Sequence, residues 1–98
     1  MRRTVSFHED AEDELNDAAD FYDIESPGLG ISFLDDIQKA IEDIVLFPEA
    51  GPLAKGRVRR RVLRKFPYTV IYSIREAEIR ILAVAHQKRR PFYWHERR

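Results

Sequence analysis

Apolar and polar positions alternate over Thr4-Val5-Ser6-Phe7, the period of a short half-buried strand. From His8 the spacing changes. Ala11, Leu15, Ala18 and Tyr22 recur at four, three and four residues, which predicts an amphipathic helix. Its first turns hold Glu9, Asp10, Glu12 and Asp13, acids that suit the positive end of a helix dipole. Ser26-Pro27-Gly28 interrupts the pattern and restarts it, with Ser26 expected as N-cap and Pro27 at the first helical position. A second, broader stripe follows (Ile31, Phe33, Leu34, Ile37, Ala40, Ile41, Ile44, Val45) and stops before Pro48. Two helices joined by so short a turn form an antiparallel hairpin, whose apolar stripes need a sheet to cover.

Residues 48–56, rich in Pro and Gly, read as a loop. Three strands are expected beyond it: Arg57 to Lys65, broken near Phe66-Pro67; Tyr68 to Ile74; and, past a tight turn at Arg75-Glu76-Ala77, Glu78 to His86. The last two are apolar on both faces, which places them centrally. The arginine-rich strand suits an edge, where charge discourages edge-to-edge pairing. The expected class is α+β, in the order β-α-α-β-β-β, with a helical hairpin packed on a small, mainly antiparallel sheet. After Gln87 the chain turns basic and aromatic, through Lys88, Arg89, Arg90, Phe92, Tyr93 and Trp94 to Arg97 and Arg98.

Ninety-eight residues suffice for a single domain over 1–98 with one modest core, and leave no room for a deep substrate cavity. The absence of cysteine excludes disulfides and thiolate zinc sites. His8 with its neighbouring carboxylates suggests a metal site only weakly, since acids in a first helical turn are ordinary helix chemistry. No cofactor is called for. The sequence shows neither a signal-peptide pattern nor a stretch near the ~18 apolar residues of a membrane helix, so a cytoplasmic location is expected.

Net charge is zero, yet the charges are segregated. Residues 1–50 carry three basic and fourteen acidic side chains, a balance of −11; residues 51–98 carry fourteen basic and three acidic, a balance of +11. Such a split gives either a basic working face for an anionic partner or a basic sheet neutralised by its own acidic helices.

Several stretches together resemble the ParE/RelE toxin superfamily of bacterial type II toxin–antitoxin pairs, including its plasmid-stabilisation members. They are Ala11-x3-Leu15 and Phe21-Tyr22; Ser26-Pro27-Gly28-Leu29-Gly30-x2-Phe33; Ile44-x3-Pro48; Arg59 to Leu63 leading into Phe66-Pro67-Tyr68-x-Val70-x-Tyr72; and Ile81-Leu82-Ala83-Val84-Ala85-His86-x2-Arg89-x-Pro91-x-Tyr93-Trp94. The resemblance covers nearly the whole chain. It implies a toxin neutralised by a cognate antitoxin, which alone would contact operator DNA. Surfaces expected to meet the antitoxin or the target are Arg57, Arg59, Arg60, Arg61, Arg64, Lys88, Arg89, Arg90, Tyr93 and Trp94, because Arg, Tyr and Trp dominate binding hot spots.

The two branches differ in chemistry. RelE-like members cut messenger RNA on the ribosome, and for that role the resemblance offers His86, Tyr93 and Arg61 as catalytic residues. ParE-like members poison DNA gyrase as binders. Ribonucleases similar to RelE carry arginine where this chain has Thr69 and Gln87. Losing two charges that stabilise a transition state, at roughly 3–4 kcal/mol each, argues against catalysis and for the binder. A degenerate, non-toxic member that only binds an antitoxin, or a nucleic-acid-binding module, are the remaining readings. His86 also reads as a sheet-end histidine bonded to a backbone carbonyl, and the aromatic tail as a core seal. The tail is expected to serve function more than folding.

Overall fold

The computed structural model describes residues 2–98. Strand β1 (Thr4–Phe7) leads into helices α1 (Glu9–Glu25) and α2 (Leu29–Leu46), then strands β2 (Leu53–Lys55), β3 (Val58–Val62), β4 (Tyr68–Ile74) and β5 (Glu78–His86). The sheet runs β1-β5-β4-β3-β2; β1 pairs parallel with β5 and every other pair is antiparallel. Both doubly apolar strands, β4 and β5, are central, as their composition requires.

Two expectations need correcting. First, the segment 48–56 is not all loop. Leu53–Lys55 turns back at Gly56 (φ +56°) and pairs with β3, so the arginine-rich strand is one place in from the edge. Three residues are too few for alternation to show among so many turn formers. Second, Ser26 closes α1 instead of opening α2, its N–H donating to Tyr22 O at 2.9 Å. The left-handed Gly28 (φ +88°) stands at the N-cap of α2 with no side chain to offer. Asp23 replaces the missing cap, its Oδ1 accepting the Gly30 N–H at 2.8 Å. A Cβ on Gly30 would lie 2.5 Å from Ala19 O, so glycine there lets the hairpin close.

One sheet separates two apolar layers. On the hairpin side Phe33, Ile37, Ile44, Val70, Tyr72, Ile79, Ile81 and Val84 pack with the alanines of α1. On the opposite side Ile71, Leu82, Ala83 and Ala85 are covered by Trp94, which is 5% exposed. The tail is therefore a structural layer, and the expectation that it serves function more than folding is overturned. Adjacent basic residues masked the signal: Phe92 remains exposed while Trp94, two residues on, is buried.

All four tyrosines are held above the ordinary phenol value, chiefly by burial. A group whose pKa is raised by folding contributes stability that is complete below its unfolded pKa, about 10 for tyrosine, and is lost as pH rises through the folded value. Ultraviolet titration at 295 nm should therefore show no phenol ionising at its free value, and ionisation should coincide with alkaline unfolding. Ionisation of a phenol near its free value, in a chain still folded by circular dichroism, would contradict this.

Candidate functional site

Strand alternation divides the arginines of β3 between the two faces. Arg61 lies opposite Val70, a hairpin-side core residue, and its guanidinium pairs with Asp43 of α2 at 2.7 Å. Arg60 lies opposite Ile71, on the tail side. Arg59 shares the hairpin side and donates to the carbonyls of Glu49 (3.1 Å) and Gly51 (2.8 Å), bracing the chain that leads into β2. Arg57, Arg60 and Arg64 are exposed.

On the tail side a cleft of about 180 Å³ is lined by Arg60, Thr69, His86, Gln87, Arg89, Arg90, Phe92 and Tyr93. Lys88 and Arg89 are exposed in the turn that follows β5. Lys55 Nζ stands 5.3 Å from the centre of the Phe92 ring. Phe92 itself is 44% exposed, with φ at +59°. The result is a shallow basic and aromatic surface on the face opposite the acidic hairpin.

His86 and Tyr93 both line the cleft, and Arg61 does not join them. His86 lies opposite Tyr68 in the ladder and meets that ring edge-on at 5.0 Å. Its Nδ1 accepts the Lys88 N–H at 3.0 Å, so the expected partner, a backbone carbonyl, is replaced by a backbone amide. Arg61 is on the hairpin side. Tyr93 is on the other face, and its hydroxyl donates to Glu14 at 2.8 Å. Burial, then the bond to Glu14, pushes its pKa well above the usual phenol value. Arg61, expected beside His86 and Tyr93, is turned away to Asp43, and Arg60 is the arginine that reaches the cleft. Trp94, expected as a contact residue, is corrected to a core residue.

Glu14 is the residue that sequence reasoning missed. Its carboxylate, 16% exposed, accepts from the Val84 N–H (3.0 Å), the Tyr93 hydroxyl and both terminal nitrogens of Arg97 (2.9 and 3.1 Å). Arg97 reaches on to Leu82 O at 3.0 Å, and Arg89 lies over the Tyr93 ring at 3.9 Å. One side chain of α1 therefore clasps the tail to β5. The available signal was an acid within the Ala11, Leu15, Ala18 stripe, where an unpaired charge would be costly.

Among the described residues no group of three or more His, Asp or Glu is arranged to hold a metal ion, and no helix is long and apolar enough to cross a membrane. A helical hairpin on one face of a mixed sheet, with a basic, aromatic-edged cleft on the other, defines a small α+β protein with a shallow binding surface. The chain belongs to the ParE toxin family: the family model described as the ParE toxin of the type II toxin–antitoxin system parDE matches residues 5–91. A solved chain of the chromosomal ParDE toxin–antitoxin system from P. aeruginosa is similar in fold, with a TM-score of 0.76 at 19% identity over 87% of this chain and 96% of that one. No relative among curated proteins matches.

Proposed function

We propose that the chain, a type II toxin by family, is neutralised by a cognate antitoxin and acts as a cytoplasmic binder, with DNA gyrase the favoured target. The supporting observation is the composition of the tail-side cleft. Thr69 and Gln87 line it at the two positions where ribonucleases similar to RelE carry arginine. His86, at the rim of the cleft, packs its ring on Tyr68 and accepts the Lys88 N–H on Nδ1, and the tyrosine hydroxyl is committed to Glu14. General acid–base cleavage needs such groups within reach of one scissile phosphate. With both groups engaged in this way, the cleft is suited to holding an anionic or amphipathic surface through Arg60, Arg90 and Phe92.

Inducing the chain alone in bacteria and following macromolecular synthesis tests the proposal. DNA damage with filamentation, preceding any loss of translation, is the expected result. Early arrest of translation, with codon-phased cleavage of messenger RNA in an extract, would favour the ribosome-dependent endonuclease. That second reading draws its support from Arg60, which does face the cleft beside Arg89 and Arg90. No effect on growth would leave only a degenerate antitoxin-binding role.

A further inference from the structure

Helix α2 carries Asp36, Ala40 and Asp43 on one face, at helical spacing, where it passes the end of β3. Between that face and residues 61–64 lies a cavity of about 230 Å³, with Ala40 and Leu63, both buried, as its apolar floor. Asp36 lines it and is 5% exposed, the one buried charged side chain among the described residues. Its Oδ2 accepts the Lys65 N–H at 3.0 Å. Oδ1 accepts no bond among the described residues, and none of their buried side-chain oxygens is sealed away without a partner, so Oδ1 opens on the cavity.

A carboxylate held this far from water needs more than one neutral donor, because a buried charge is costly unless it is paired. The bases around the cavity do not pair with it. Arg61 is engaged by Asp43 at 2.7 Å. Lys39 and Arg64 are exposed and form no ion pair among the described residues. The cavity therefore has one unmatched negative oxygen within and two unmatched positive groups at its mouth, with an apolar floor. A simple anion would meet the Asp36 charge, and a simple cation would meet Lys39 and Arg64 on entry. A small zwitterion satisfies both.

We infer that this cavity binds a free aliphatic α-amino acid. Its ammonium group donates to Asp36 Oδ1, its carboxylate faces Lys39 and Arg64, and its side chain lies on Ala40 and Leu63. Charge-assisted hydrogen bonds are the strong ones, and two of opposite sense fix the ligand's orientation. A residue at the end of a peptide lacks one of the two charges, the carboxylate at an N-terminus or the ammonium at a C-terminus. The free amino acid alone carries both on one carbon. Ala40 and Leu63 belong to the hairpin-side core, across the sheet from the tail-side cleft, so the inference does not depend on what that cleft binds.

The probe is L-leucine, titrated into the ¹⁵N-labelled full chain beside N-acetylleucine, which lacks the ammonium, and leucinamide, which lacks the carboxylate. Leucine should shift the amides of Ala40, Leu63 and Lys65 saturably, Lys65 most, because its N–H is already bonded to the Asp36 carboxylate. Each analogue should bind about tenfold more weakly or worse, the loss expected for one hydrogen bond to a charged group. Asp36→Asn keeps an oxygen for the Lys65 N–H while removing the charge, and should weaken leucine by a similar factor. Arg64→Gln alters an exposed side chain without a partner, and should weaken leucine while leaving leucinamide unchanged. Circular dichroism melts show whether each variant is folded; if Asp36→Asn is not, the analogues and Arg64→Gln decide. The inference is overturned by the absence of saturable shifts below about 10 mM leucine, by leucinamide binding as tightly as leucine, or by binding indifferent to Asp36→Asn in a folded chain. Tighter binding of leucine to the Arg64→Gln chain would show Arg64 to be the internal partner of Asp36, and would overturn it equally.

Discussion

Ending the chain at Gln87 is expected to remove its cooperative thermal transition. The lost segment contains Trp94, the 5%-exposed cover of Ile71, Leu82, Ala83 and Ala85 on the tail side of the sheet. Deleting a buried tryptophan side chain alone costs about 3–5 kcal/mol. The truncation also removes Tyr93 and Arg97, leaving the Glu14 carboxylate without its two side-chain donors. Since a domain of this size holds only about 5–15 kcal/mol in all, the loss consumes most of it. Far-ultraviolet circular dichroism of the shortened chain against temperature measures this directly. A sharp melt within a few degrees of the full-length protein would mean that the tail is an appendage.

The tail marks where sequence reading stopped. Composition distinguished its aromatics and its charges, but which aromatic turns inward depends on the positive φ at Phe92. The central strands were legible because Val70-Ile71-Tyr72 and Ile81 to Ala85 are unbroken apolar runs, a pattern that burial on both faces explains. The helices were legible to within the three residues of their junction. Strand β2 was not, since Leu53-Ala54-Lys55 carries no period of its own and owes its pairing to the turn at Gly56. Face assignment failed for the same reason. Arg60 and Arg61 are chemically identical neighbours, and only the register that sets them opposite Ile71 and Val70 decides which one reaches the cleft.

Glu14→Ala should be the most damaging single substitution on α1, costing about 3–5 kcal/mol. The basis is the loss of the main partner from a largely buried ion pair, in which the remaining charge keeps only Asp10, at 3.8 Å, as a counter-charge. Arg97, 15% exposed, would be that charge, and the Val84 N–H and Tyr93 hydroxyl would lose their acceptor with it. Glu14→Gln should recover part of the loss, because an amide oxygen still accepts one or two of those bonds. Urea unfolding of the three proteins, with Trp94 fluorescence as the probe, gives the comparison; the chain has a single tryptophan, so the signal reports on the clasped tail alone. An Ala variant as stable as the unsubstituted chain would show that the clasp is incidental to the packing of Trp94.

The clasp also bears on function. By tying Tyr93 to α1 it withdraws the one tail hydroxyl available for chemistry and leaves Arg60, Arg90 and Phe92 exposed around the cleft. A surface of that kind suits the proposed binder. The most direct test is a supercoiling assay with purified DNA gyrase, run beside a translation extract, with the purified chain added to each. The binder account predicts that gyrase is inhibited, with cleaved DNA accumulating, that Arg60→Ser combined with Arg90→Ser relieves the inhibition, and that messenger RNA in the extract stays intact. Unimpaired supercoiling together with codon-phased messenger cleavage would contradict it.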